Sequence, residues 1–260
     1  MRITKAEIKL LRMLAQKKVR DREKKFVVEG WKPLADALGS DFQIELVAVS
    51  SHHSANIECR PLLEAVDARG ITRRELSEVE LKQVTDTVHA QGVVAMVRQK
   101  ARTLDEVLKL RPKLVVLADR LADPGNLGTI IRTCDWFGVD VLVLSQGCVD
   151  LYNEKVVRST SGSIFHLPVI ENVDLKTVME QLRSLGFRCS ATSGDASTSY
   201  AQLPHAEKRA IIFGNEAEGI RQDLMKMADE AMGIPRVGKA ESLNVGVACG
   251  IVLAHFTQRR

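Results

Sequence analysis

KLVVLADRLADPGNLGTIIRTCDWFG, residues 113–138, decides the fold. Its opening, LVVLA, is apolar without alternation, as in a strand that loses water on both faces because helices cover both sides of a parallel sheet. VDVLVLS (139–145) and AIIFG (210–214) have the same character, and Phe187 to Thr192 supplies a further strand. Directly after the first strand, Pro124 and Gly125 make a turn, Asn126 is suited to cap a helix, and Gly128 permits close backbone approach. Arg132 follows one and a half turns into that helix.

Two more stretches place glycine, asparagine or proline after a buried run. One is IIFGNEAEGI (211–220), with Gly214 ending a strand and Asn215, Glu216 and Gly219 following. The other is IPRVGKAESLNVGVACGIVLAHF (234–256), where Pro235 ends a short strand and Ser242 or Asn244 caps a helix carrying Val247, Gly250, Ile251 and Ala254 on or near one face. Ligands of open α/β sheets bind outside the carboxyl ends of the strands, so all three stretches stand where a site belongs. Each alone has an ordinary structural reading, respectively tight strand–helix packing, a surface turn and a helix cap. There is no G-x-G-x-x-G dinucleotide fingerprint, no phosphate loop and no G-x-S-x-G elbow, which disfavours the dehydrogenase that the fold pattern alone would suggest.

Upstream, short strands alternate with helices over about one hundred residues, a size that folds on its own. Helices are read at Ala6 to Leu14, Pro33 to Leu38, Pro61 to Val66 and Ser77 to Val84, and strands at Phe26 to Val28, Ile44 to Val49 and Val93 to Val97. The polar RQKART (98–103) divides a domain of residues 1–100 from one of residues 105–260. Residues 1–32 hold 11 Lys and Arg against 4 Asp and Glu, although the whole chain is only +4. Lys17, Lys18, Arg20, Arg22, Lys24 and Lys25 thus form a basic arm that either meets a phosphate backbone or is a solvated helix end. The five cysteines are scattered without a C-x-x-C pair, which suggests neither disulfides nor a metal site. No apolar run reaches the roughly 20 residues that span a bilayer, and MRITKAEIKLLRMLAQKK is amphipathic rather than a signal peptide, so a cytosolic protein is expected.

In this order the three stretches are specific. The chain resembles the SpoU (TrmH-type) branch of the SPOUT RNA methyltransferases over about residues 113–258, with NEKVVRSTSGSIFHLPV (153–169) also similar, and FVVEGWKPLADAL resembles the small substrate-binding domain often joined to it. The resemblance implies an α/β parallel sheet with a C-terminal trefoil knot, an arrangement that ordinary topology rules reject. It implies S-adenosylmethionine held by Gly214, Ile234 and Leu243, with Thr192, Asn215 and Ser242 as neighbours. Arg132 would act on a ribose 2′-hydroxyl, surrounded by Asn126, Glu216, Ser242 and Asn244. An arginine is a poor base, its pKa exceeding about 12, so an orienting role is preferred. Arg158 would clamp RNA phosphate or serve a structural ion pair. The implied assembly is a homodimer through the catalytic domain, and ribosomal RNA is preferred to transfer RNA as substrate. Methylation of a base nitrogen and RNA binding without catalysis are the competing readings.

Overall fold

A computed structural model describes residues 1–54, 57–85 and 91–258, so a few positions of both expected domains lie outside it. The first hundred residues run α1 (Lys5–Met13), α2 (Lys17–Glu23), β1 (Lys25–Glu29), α3 (Trp31–Gly39), β2 (Ile44–Ser50), α4 (Ser51–Ser54), α5 (Arg60–Ala68), β3 (Thr72–Leu76), α6 (Glu78–Val84) and β4 (Val93–Arg98). Then come α7 (Leu104–Leu108), β5 (Leu114–Ala118), α8 (Pro124–Trp136), β6 (Val141–Ser145) and α9 (Glu154–Thr160). The chain continues with β7 (Val169–Val173), α10 (Leu175–Ser184), β8 (Arg188–Thr192), β9 (Arg209–Phe213), α11 (Gln222–Met227), β10 (Glu230–Met232) and α12 (Val245–Thr257). These elements form two compact units: residues 1–100 with 152–166, and residues 101–151 with 167–260. Fifteen residues of the block read as catalytic are therefore counted with the first unit.

The first unit has a sheet in the order β1-β4-β2-β3, β4 running antiparallel to both neighbours and β3 parallel to β2. Leu11 of α1, Leu14 just past its end and Val19 of α2 pack with Leu46, Leu76 and Met96 in its core. Among the first hundred residues, α2, the short α4 and β3 escaped the sequence reading. The basic arm contains α2, because Arg20 is buried and its guanidinium donates to the carbonyls of Leu14 (2.8 Å) and Ala15 (2.6 Å), satisfying main chain just past α1. β3, TRREL, carries no apolar alternation because it is the last strand of its sheet, its outer edge met only by the N-terminal residues, where Ile3 N donates to Glu75 O (2.9 Å) and Glu75 N to Met1 O (3.0 Å). Phe26 explains the inclusion of residues 152–166. Its fully buried ring lies 4.6 Å from that of Tyr152 and 6.2 Å from those of Phe165 and Phe42. The Tyr152 hydroxyl meanwhile accepts from Lys100 N (2.9 Å) and donates to Lys100 O (3.0 Å).

The second unit is built on a sheet in the order β10-β8-β9-β5-β6-β7, every neighbouring pair parallel. β5, β6 and β9 are buried at every position, as continuous apolar runs require. Leu175, Val178, Met179 and Leu182 of α10 cover Val115, Leu117, Val143 and Ile212. Register sets Ala118 beside Phe213, Ala191 beside Ile212, and Met232 beside Thr192, so the carboxyl ends of β5, β8, β9 and β10 stand at one level. The cysteines are free, and four of the five are buried.

A charged lock fastens the short β10. Arg209, 3% exposed, reaches Glu230 and Ser190 and lies 4.4 Å over the Phe256 ring. Glu230 also accepts from Arg188 (2.7 Å) and Ser190 (2.7 Å). Burial raises its pKa, but the hydrogen bonds from Ser190, Arg209 and Arg188 outweigh burial and hold it below its ordinary 4.5. A depressed folded pKa stabilises above the unfolded value and is lost as pH falls through the folded one. Glu230→Gln should therefore cost about 3 kcal/mol in urea denaturation at neutral pH. The gap to wild type should close below about pH 4.5, where the protonated carboxyl becomes nearly isosteric with the amide. A gap unchanged down to acid pH would exclude the lock.

Candidate active site

The fully apolar β5 ends in two charges. Asp119 is completely buried, and Arg120 adopts a left-handed conformation (φ 54°) with its N–H donating to Ser145 Oγ at 2.8 Å. Asp123, not Asn126, caps α8, accepting from Asn126 N at 2.8 Å with Pro124 at the first helical position. That correction matters because it leaves the Asn126 side chain free to reach outward. In the third stretch Asn244 is the cap, its Oδ1 accepting from Gly246 N (2.9 Å) and Val247 N (3.3 Å). Ser242 is exposed.

The second stretch closes into a tight loop. Asn215 and Gly219 exchange main-chain hydrogen bonds of 3.1 and 2.9 Å. Inside the loop, Asn215 Oδ1 accepts from Ala217 N (2.9 Å) and Glu218 N (3.1 Å), while its Nδ2 donates to Arg120 O (2.8 Å). Position 214 must be glycine for a local reason: a Cβ there would lie 2.4 Å from main-chain atoms of Gly219 and Ile220. A bulky side chain at 214 would therefore break the loop itself, whatever ligand it holds.

Side chains from the first stretch hold this loop at two points. Asn126 Nδ2 donates to Glu216 Oε1 at 2.7 Å, and the Arg120 guanidinium donates to Glu218. Asp119 then accepts from Arg221 N at 2.9 Å and faces the Arg221 guanidinium at 3.3 Å. The sequence reading missed Asp119, Arg120, Glu218 and Arg221. Its available signal was a charged Asp-Arg pair directly after an unbroken apolar strand.

Asn244 completes the junction, donating from Nδ2 to Asn126 Oδ1 at 2.7 Å. A relay Asn244→Asn126→Glu216 thus ties together the three stretches read as one site. α8 and α12 pack closely behind it, where a Cβ on Gly246 would approach Thr129 Cγ2 to 2.8 Å. Arg132 lies six residues beyond Asn126, about 9 Å along α8. It is exposed on the stripe Thr129, Arg132, Trp136, and no ion pair or hydrogen bond to it is found among the described residues.

The residues expected around the cofactor end three adjacent strands. Thr192 closes β8, its hydroxyl donating to Ile212 O at 2.8 Å; Gly214 and Asn215 follow β9; half-buried Ile234 follows β10 by two residues. Leu243 is 50% exposed. The Asn215 side chain is spent within the loop and so offers a ligand only its main chain. Apolar surface beside glycine-opened backbone fits a nucleoside better than a free phosphate, which would need cations or a row of N–H donors. Among the described residues no group of His, Cys, Asp or Glu is placed to hold a metal.

The basic candidates lie in the first unit. Lys25 is largely buried against Glu45 at 2.6 Å, a structural ion pair, and Lys17 pairs with Asp21 at 3.0 Å. Arg158 stands 3.9 Å from Glu29. Lys18 and Lys24 are exposed, with no partner found among the described residues.

The relay makes a charge-specific prediction. Asn126→Asp sets a carboxylate against Glu216, whereas Asn126→Ala removes the donor to Glu216 and the acceptor for Asn244 without adding charge. Amide exchange of residues 216–219, corrected for intrinsic rates, should rise more in the Asp variant than in the Ala variant at neutral pH, and the difference should shrink as carboxylates protonate near pH 4. Equal exchange in both variants at neutral pH would show that Asn126 does not hold the loop.

Comparison with known proteins identifies the family. The SpoU rRNA Methylase family matches residues 113–254, and an MRM3-like substrate binding domain matches residues 5–95. The chain is 33% identical over 250 residues to the 23S rRNA (guanosine(2553)-2'-O)-methyltransferase RlmP of Bacillus subtilis (strain 168), covering 96% of this chain and 95% of the relative. An AdoMet-bound rRNA methyltransferase from Sinorhizobium meliloti superposes with a TM-score of 0.87 at 30% identity, over 99% of this chain and 96% of the other. The SpoU methyltransferase AviRb from Streptomyces viridochromogenes, in complex with AdoMet, gives 0.86 at 25% identity over 99% and 98%.

Proposed function

This chain belongs to the SpoU rRNA Methylase family, and we propose that it transfers a methyl group from S-adenosylmethionine to a ribose 2′-hydroxyl of ribosomal RNA. The observation that carries the reading is the Asn244→Asn126→Glu216 relay, which brings the three family stretches into one site. Ribosomal RNA is favoured because relatives aligned across both units, from B. subtilis and S. meliloti, carry that substrate in their names.

The cofactor, when bound, supplies a methyl group activated on a sulfonium. Ile234, Leu243 and the main chain of residues 214–219 hold it, and the relay fixes that loop before binding. A ribose hydroxyl is a weak nucleophile, so fixing it within about 3–3.5 Å of the methyl group supplies much of the rate. Arg132 orients the hydroxyl or its adjacent phosphate with a planar fork of donors, and a phosphate oxygen takes the proton. Lys18 and Lys24 contact RNA phosphate. The chain crossing of a trefoil knot belongs to this reading, as does a cytosolic location; no described helix is long and apolar enough to cross a membrane.

A homodimer through α8 and α12 completes the proposal. These packed helices expose Trp136 (83%) and Val247 (51%) beside the unpartnered Arg132, and large apolar side chains left in water mark association surfaces. Trp136→Glu in the full chain should sediment as a monomer at micromolar concentration; an unchanged dimer would place the interface elsewhere, and a monomeric wild type would refute it.

Arg132→Ala should bind cofactor nearly as wild type does in calorimetry, yet lose about 100-fold or more in single-turnover methyl transfer. Arg132→Lys should restore little, since a point charge does not reproduce the fork. Near-normal turnover in the Ala variant would refute the role assigned to Arg132, and absence of cofactor binding by the wild type would refute the function.

A further inference from the structure

Resting on the RNA reading above, we propose that the solvent face of α1, formed by Lys5, Lys9 and Arg12, is a phosphate-contacting surface for the RNA substrate. At 100° per residue these three side chains fall within about 60° of arc, and they span about 10 Å along the axis. All three are exposed, with no ion pair or hydrogen bond found among the described residues. The acid of α1, Glu7, falls on the opposite side of the helix. It is held there by Arg74 (3.0 Å) and by the Thr4 capping box, so it does not neutralise the row. Commitments elsewhere sharpen the contrast, since Arg2 pairs with Glu80, Lys17 with Asp21, Arg22 with Glu23 and Lys25 with Glu45, while Arg20 is buried. The positive excess of the N-terminus therefore reaches solvent as one row on α1, joined in sequence by Lys18 and Lys24.

The same face argues against other partners. It shows no large exposed apolar side chain, because Leu11 and Leu14 are buried in the first unit's own core and Ile8 packs against it. A helix lying on a membrane needs that apolar stripe for lipid, and a protein-docking face needs an apolar centre. A row of uncommitted cations alone suits a polyanion, whose affinity comes largely from counterion release.

The test is the salt dependence of binding to a single-stranded oligouridylate, in the full chain, for wild type, for Lys5→Gln/Lys9→Gln/Arg12→Gln, and for Lys17→Gln as the paired-lysine control. Three lost phosphate contacts should lower the log–log slope by about 2, at roughly 0.7 per contact, with binding at least about tenfold weaker at low salt. The control should keep the wild-type slope, and calorimetric cofactor affinity should be equal in all three proteins, showing that the second unit is intact. A steep wild-type slope retained by the triple variant would overturn the stripe alone. So would a control that loses as much slope as the triple variant, or a triple variant that loses only its sedimentation with phosphatidylserine vesicles. A wild type without RNA affinity would instead overturn the function proposed above.

Discussion

Everything at the site depends on one carboxamide. Asn126 must accept from Asn244 and donate to Glu216 at the same time, and a carboxamide is the side-chain group that carries an acceptor and a donor at this fixed spacing. It is available because Asp123 takes over the capping of α8. The two segments that join Asn126 there lie 90 and 118 residues further along the chain. Closing such long loops is entropically costly, and the parallel sheet meets that cost by setting the strand ends level beside one another.

Behind the relay, charge is used for geometry more than for stability. Asp119 is fully buried between two arginines, and its desolvation offsets much of what those ion pairs return. The useful result is direction: Arg120, just past β5, is aimed at Glu218 inside the 214–219 loop, and Arg221 leaves the far end of that loop with its main chain fixed on Asp119. Glu230 and Arg209 do the same for β10, which at three residues has little ladder of its own. The 214–219 loop and β10 are thus held by side chains at points where the main chain alone would leave them loose.

Much of this was legible from the residues. The unbroken apolar runs identified the central parallel strands, and the ordered stretches identified the family together with Asn126, Glu216 and Asn244. What stayed hidden had physical causes. The edge strands β3 and β7 bury too little to leave an apolar pattern, and the short strand expected to end at Pro235 is β10, which ends at Met232. The α2 helix was obscured by its charges, since Arg20 reads as a solvated cation until its carbonyl partners are seen. Lys25 was misread for the same reason, because an ion pair with a residue twenty positions away has no local signature. Composition located the positive excess correctly in the first thirty-two residues; only the pairing pattern shows which of those cations face water.

The aromatic cluster around Phe26 has a consequence for the order in which the protein is made. Tyr152 and Phe165 belong to the first unit's interior, so that unit remains incomplete until more than half of the chain has left the ribosome. At about 5–20 residues per second, the amino-terminal sheet waits several seconds with the Phe26 ring incompletely covered while β5, α8 and β6 emerge. The interior of the first unit therefore closes only after β5, α8 and β6 of the second have been made, and before β7 to α12 have followed them.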